Sequence, residues 1–215
     1  MTIIQWSRIR AAVTALVPEI DATFRGPASE AQLQAAEREF GFPLPETLRE
    51  VYRDTDGQPW GVLTGCFIGM RLLPLEESLT FVRGVRDFYS EMPEFAGDIV
   101  SGSLPPDAVQ GVGSHPHWWP FAMDGGGGTL SLDFAPGPAG RVGQVLGSGD
   151  GRLNNVVVAW TVEGFFAWYG EQLQTNVVVN RLPSGEPHLE LRHPQRPFFL
   201  DSLPHLVKAR LLPSS

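Results

Sequence analysis

Apolar residues recur at helical spacing from the start of the chain. Trp6, Ile9, Val13, Leu16 and Ile20 share one face and predict an amphipathic helix, stopped or bent near Pro18. After a connector at Phe24–Ala28, Ser29 stands as an N-cap with Gln32 as its capping-box partner. Leu33, Ala36 and Phe40 form the stripe of a second helix, which Gly41 ends as a left-handed C-cap. Phe42-Pro43-Leu44-Pro45 is a rigid corner, and Pro45 suits the first turn of a third helix. Leu48, Val51 and Tyr52 supply its apolar face, and Asp56-Gly57 closes it.

The period then changes. Trp60–Thr64 and Phe67–Leu72 are short and β-prone, and predict two strands separated by Gly65. Pro74 opens a longer helix to about Glu91, with Leu75, Leu79, Val82 and Tyr89 on one side. Residues 92–117 read as loop, with a short extended piece at Ala108–Val112. Trp119–Met123 and Thr129–Phe134 predict strands around an Asp124–Gly128 turn. In the second, Leu130, Leu132 and Phe134 alternate with Thr129, Ser131 and Asp133, the signature of a sheet with one buried face. Val142–Leu146 and Val156–Trp160 follow, so an antiparallel meander is expected. Thr161 caps a helix whose Val162, Phe165, Phe166, Tyr169 and Leu173 lie in a narrow arc, with Trp168 well off it. The tail carries a strand-like His188–Arg192 and a terminal helix around Ser202–Leu211. The sum is an α+β fold: a mostly antiparallel central sheet flanked by helices, with residues 1–180 as a single domain and 181–215 as a C-terminal extension.

Composition narrows the function classes. A chain of 215 residues, 42% hydrophobic and 19% charged, is large enough to bury a core without a metal or disulfide staple. Its 24 acidic against 16 basic residues, net −8, argue against a nucleic-acid partner and suit a basic one. Cys66 is the only cysteine, which excludes internal disulfides and paired-cysteine metal sites. The opening segment lacks the unbroken apolar run of a secretory signal, and no stretch approaches the ~20 apolar residues of a membrane span. A cytoplasmic protein with no membrane partner is expected.

Candidate chemistry reduces to structural roles. The Gly125–Gly128 run is followed by a strand, without the lysine and helix of a phosphate-binding loop, so a hairpin turn explains it. His115, His117 and Asp124 lack the spacing that fixes a metal geometry. There is no nucleophile elbow, and Cys66 lies in an apolar stretch where a thiol is inert. Asp54/Asp56 and Glu76/Glu77 sit near helix ends, where capping and dipole roles account for them. No catalytic residue, metal or cofactor is expected. Trp118, Trp119, Trp160 and Trp168 have faces for stacking on sugar rings, a reading that requires a concave pocket with convergent polar groups.

Taken in order, Ala28–Leu33, Phe40–Pro45, Leu48–Tyr52 and Asp56-Gly57 resemble the N-terminal signature of the SUKH superfamily, the Smi/Knr-type domain. Trp119–Gly127, Leu130–Phe134 and Gly140–Val145 resemble its second signature, and Val162–Leu173 its closing helix. The resemblance spans residues 24–173, with an insertion at about 74–117. It implies an α+β fold in which Pro43, Pro45, Asp56, Gly57, Trp119, Gly125, Gly126, Asp133 and Gly143 are structural motif positions. It also implies protein binding without catalysis. Bacterial members are mostly immunity proteins that neutralise a cognate toxin, often a nuclease, and fungal relatives regulate cell-wall synthesis through protein contacts. The first expectation is a bacterial immunity protein whose partner is a toxin, with a basic nuclease matching the acidic balance. The alternative is a regulatory scaffold in cell-wall synthesis or signalling, and the third is a glycan-binding or enzymatic domain. Trp118, Asp124, Asp150 and Trp168 are the expected exposed partner-binding residues, with Asp124 either capping the glycine turn or facing a partner.

Overall fold

The computed structural model describes residues 3–62, 64–93, 102–149, 154–181, 183, 185–192 and 199–211. Helix α1 (Ile3–Leu16) gives way at Pro18 to a 3-10 turn, Pro18–Thr23. Helix α2 (Glu30–Phe40) starts in a full capping box between Ser29 and Gln32 and stops at Gly41, whose φ of 95° takes the left-handed form. The proline corner carries the chain into α3 (Glu46–Asp54). Arg49 clasps the two helices by reaching Glu30 and Glu37, and Arg53 joins Glu30 at 3.2 Å.

Asp56 and Gly57 set the next helix. The Asp56 Oδ1 accepts from the Leu75 amide at 2.9 Å and caps α4 (Leu75–Glu91), where Pro74 offers no side chain to do so. Gly57 has φ 76°, and a Cβ there would meet the Pro74 nitrogen at 2.6 Å. Only glycine fits both demands.

Of the two strands expected between Trp60 and Leu72, only the end of the second forms among the described residues. Only Arg71–Leu72 is a strand (β1), and Phe67 bridges Met70 across a tight turn in which Ile68 and Gly69 have φ of 51° and 82°. The buried amide of Gln58 replaces a partner strand. Its Oε1 accepts from the Cys66 and Leu72 amides at 3.0 and 3.3 Å, and its Nε2 donates to Thr23 Oγ1 and the Thr64 carbonyl at 2.7 and 3.3 Å. The Cys66 and Leu72 amides are thus satisfied by a side chain rather than by a strand.

The main sheet contains β1, β2 (Gly102–Leu104), β3 (Trp118–Met123), β4 (Thr129–Asp133), β5 (Gln144–Ser148) and β6 (Asn154–Ala159), in the order β1-β3-β4-β5-β6-β2. The β3–β6 meander is antiparallel as expected, and β2 adds a parallel edge on β6. The extended piece of the insertion is therefore at Gly102–Leu104, not Ala108–Val112. Strand β5 begins two residues later than its apolar pattern suggests. Gly143 turns there with φ 83°, its amide bonded to the Asp133 carbonyl, and leaves Val142 68% exposed.

Both faces of the sheet are covered. Leu130, Leu132, Val145 and Val158 belong to the main core, which also takes in Phe165, Phe166 and Tyr169 of α5 (Val162–Thr175). On the other side Ala108 and Val109 of the insertion form a second, smaller core with Trp118, Leu146 and Val157. Gln144 Nε2 donates to the Ala108 carbonyl and Asn155 Nδ2 to the Val112 carbonyl, both at 2.8 Å, pinning the insertion down. Thr129, Ser131 and Asp133, the positions that alternation assigns to water, are consequently buried. Their hydroxyls pair internally, Thr129 with Ser148 at 3.0 Å and Ser131 with Thr129 at 3.3 Å.

Strands β7 (Val177–Arg181) and β8 (Pro187–Leu191) form a separate hairpin. Helix α6 (Phe199–Leu211) then returns, and Phe199, Leu200 and Leu203 enter the main core beside Leu189 and Leu191. A Cβ on Gly147 would lie 2.7 Å from Leu203, so that glycine lets α6 sit close to the sheet. A boundary at residue 180 passes through β7.

Replacing Gln58 by alanine should lower unfolding stability by about 3 kcal/mol, because buried amides lose their acceptor. Urea denaturation followed by tryptophan emission measures it.

Candidate protein-interaction site

Burial corrects two of the expected partner-binding residues. Trp118 is 3% exposed because β3 turns it onto the second core. Trp168 is 5% exposed because α6 covers it, with Phe199 stacked at 6.0 Å and 23° between planes. Neither indole is open to a partner or a sugar ring. Asp124 is half-buried, and its Oδ1 accepts from the Gly126 and Gly128 amides, each at 2.8 Å, so it caps the glycine turn. Asp150 lies outside the described residues.

The motif positions hold the scaffold. Pro43 and Pro45 make the corner before α3, and Gly125 and Gly126 occupy the exposed turn after β3. Trp119 is fully buried against Phe40 at 5.1 Å. Asp133 is fully buried too, its Oδ1 bonded to the Ala135 amide and its Oδ2 to Gln144 Nε2, both at 2.8 Å. Burial outweighs those bonds and pushes its carboxyl up to about 6. His115 and His117 pack ring to ring at 5.2 Å, and burial, then the neighbouring ring, brings His115 down to about 4. Among the described residues no cluster of three histidine, cysteine or carboxylate side chains is placed to hold a metal. The Cys66 thiol is buried and pushed up to about 12, far from a nucleophile's range.

The concave feature of interest lies on α1. A groove of about 540 Å³ is lined by Ser7, Arg10, Ala11, Thr14, Ala15, Asp21 and Asp54. Helix α1 supplies the first five at helical spacing, the 3-10 turn supplies Asp21, and the end of α3 supplies Asp54. Arg10 joins the carboxylates: its Nε and Nη2 donate to Asp21 Oδ1 at 3.0 and 2.9 Å, and its Nη1 to Asp54 Oδ2 at 2.6 Å. The same Asp54 oxygen accepts from Trp6 Nε1 at 2.8 Å, and Phe24 stacks on the guanidinium at 4.8 Å. Burial works against the Arg10 charge, but the bonds to Asp54 and Asp21 outweigh it and raise the guanidinium above its ordinary range.

Sequence spacing conceals this group. Asp21 and Asp54 stand 11 and 44 positions from Arg10, and in the sequence Asp54 reads as a helix-end residue. Trp60 was likewise hidden inside a predicted strand. It is 72% exposed on a turn, with the buried Arg71 guanidinium 5.0 Å beneath its ring, and so stands fixed rather than free.

Residues 27–167 match the SMI1 / KNR4 family (SUKH-1), about two thirds of the chain. The chain belongs to that family. It is similar to the "Cell wall biosynthesis/cell cycle regulator smi1" of Schizosaccharomyces pombe, 36% identical over 65% of this chain and 30% of that protein. It is also similar to the "Cell wall assembly regulator SMI1" of Saccharomyces cerevisiae, 22% identical over 80% of this chain and 40% of that one. A shorter stretch, 34% of this chain and 14% of the relative, is 40% identical to a "Glucan synthesis regulatory protein" of Neurospora crassa. The chain thus spans less than half the length of these SMI1/KNR4 relatives. Their names are those of regulators, not enzymes or immunity proteins, and favour the alternative reading over the first. No helix among the described residues is long and apolar enough to cross a membrane.

Two measurements follow for this SMI1/KNR4 chain. The Asp133 carboxyl sits above its ordinary 3.8, so its contribution to stability is fullest below that value and is lost as pH rises to about 6. The loss amounts to about 3 kcal/mol, and Asp133→Asn should remove that component of the pH slope in denaturation between pH 4 and 7. Arg10→Gln should cost about 1 kcal/mol at low salt, and less in molar salt, by the same denaturation assay.

Proposed function

We propose that this chain is a non-enzymatic, protein-binding module of a regulator of cell-wall synthesis or of the signalling that controls it. The observation that carries the reading is its membership of the SMI1/KNR4 family beside relatives named as cell-wall regulators. The structure is compatible with a binding role. Its thiol is buried, and helix α1 carries a charged surface groove.

Deleting the gene in its own host and challenging the cells with wall-lytic enzyme and osmotic shock tests this. Heightened lysis, restored by the intact chain, is the expected result. Crosslinked capture should return proteins of wall synthesis or its signalling. Capture of a toxin whose effect on cells is relieved by co-expressing this chain would overturn the reading in favour of immunity, as would unchanged wall resistance together with such rescue.

A further inference from the structure

We infer that the outer edge of β7 is a docking site for an extended segment of a partner protein, which joins the β7–β8 hairpin as a third strand and sets an apolar side chain against Val179 and a carboxylate against Arg181. This rests on the protein-binding reading above and names the kind of segment bound.

The hydrogen-bond pattern of the hairpin fixes which backbone groups point outward. The Arg192 amide donates to the Asn176 carbonyl at 2.6 Å, one position before the register that opens with Val177 opposite Leu191. Bonded pairs recur at every second position of an antiparallel ladder, so Val178 with Glu190 and Asn180 with His188 hold the two strands together. Val177, Val179 and Arg181 therefore turn their amides and carbonyls away from β8, and Pro187, Leu189 and Leu191 turn theirs away from β7.

The two outer edges have different surroundings. That of β8 lies against the body of the protein: the Pro187 carbonyl accepts from Thr64 Oγ1, and Leu189 and Leu191 are buried. That of β7 is exposed from Val179 to Arg181, and the Val179 amide and carbonyl have no partner among the described residues. Edges left open in this way are usually blunted. In the main sheet β1 is two residues long, and β2 is three with Pro105 after it. Strand β7 has no such defence, with five residues, three successive valines and an unbroken register. It is a template for strand addition.

Size, burial and charge choose the occupant. A stable dimer uses roughly 20–30 residues a side, and this edge offers five, so it suits a short extended segment rather than a second copy. Val177, Leu189 and Leu191 on one face of the hairpin belong to the main core, while Val179 on that face is 39% exposed. An apolar side chain opposite Val179 extends the core outward. Arg181 is exposed, and its guanidinium donates to the neutral Gly185 carbonyl at 2.8 Å, which leaves its charge for a carboxylate of the incoming strand.

The test uses the full chain and the capped peptide Thr-Glu-Thr-Val-Thr-Val-Thr, which in antiparallel pairing sets its central valine opposite Val179 and its glutamate opposite Arg181. Amide hydrogen exchange is followed by NMR with and without peptide. In the free chain the Val179 amide should exchange fast and the Val178 amide slowly, and the peptide should slow Val179 about tenfold. N-methylation of the central valine of the peptide, which leaves the protein untouched, should weaken binding about tenfold. Val179→Pro removes an outward amide and no ladder bond, and should do the same, with slow exchange at Val178 confirming that the hairpin is intact. Arg181→Glu should reverse the preference to a peptide with lysine in place of glutamate. Slow exchange at Val179 in the free chain, no protection by the peptide, or binding indifferent to both N-methylation and Val179→Pro would overturn the proposal. A concentration-dependent dimer that Val179→Pro dissociates would overturn it too, by making the occupant a second copy. Crosslinked capture separates this from the wider reading. A partner retained equally by wild type and Val179→Pro removes the edge but leaves protein binding intact, whereas no partner with either removes both.

Discussion

Gln58 stands where the helical hairpin hands the chain over to the sheet, and its amide does the work of a missing strand. Four groups from Thr23, Thr64, Cys66 and Leu72 converge on it, and its own amide bonds the Leu72 carbonyl at 2.8 Å. A polar group sealed from water must find partners inside the protein. Here one side chain meets that demand for an irregular stretch that lies against the core. With the stretch held, Phe67 can pack among Trp6, Phe121, Phe165 and Phe166, and Arg71 can support Trp60 at the surface. The sheet edge at β1 is closed by the same contact, which leaves that edge with little to offer another strand.

Local order was legible in the residues. The Ser29–Gln32 box, the Gly41 cap, the proline corner and the Thr161 cap each depend on neighbours a few positions apart, and each formed as its residue types dictate. What failed depends on distant chain. Alternation in β4 correctly reports which side is apolar, but says nothing about a loop that later folds over the polar side. Trp168 lies off the apolar arc of α5, yet Phe199, thirty-one positions on, covers it. A short apolar run such as Phe67–Leu72 reads as a strand, although a distant side chain takes the Leu72 amide. The α1 groove was unreadable for the same reason, since its charged members come from three separate elements.

The family resemblance read from the signatures is the one the comparison shows, and it is those signatures that build the frame: Asp56 caps α4, Gly57 admits Pro74, and Asp124 and Asp133 hold turns. Scaffold residues of this kind preserve a shape while leaving the surface free to vary. The groove residues Arg10 and Asp21 precede the matched span of 27–167, whereas Asp54 lies inside it.

Helix α6 brings a consequence for synthesis. Its Phe199, Leu200 and Leu203 complete a core that the sheet and α5 have already begun. Until those residues leave the ribosome, the nascent polypeptide displays Trp168 and the floor around Gly147 uncovered. The window between translating α5 and releasing α6 is therefore when a chaperone has most to shield.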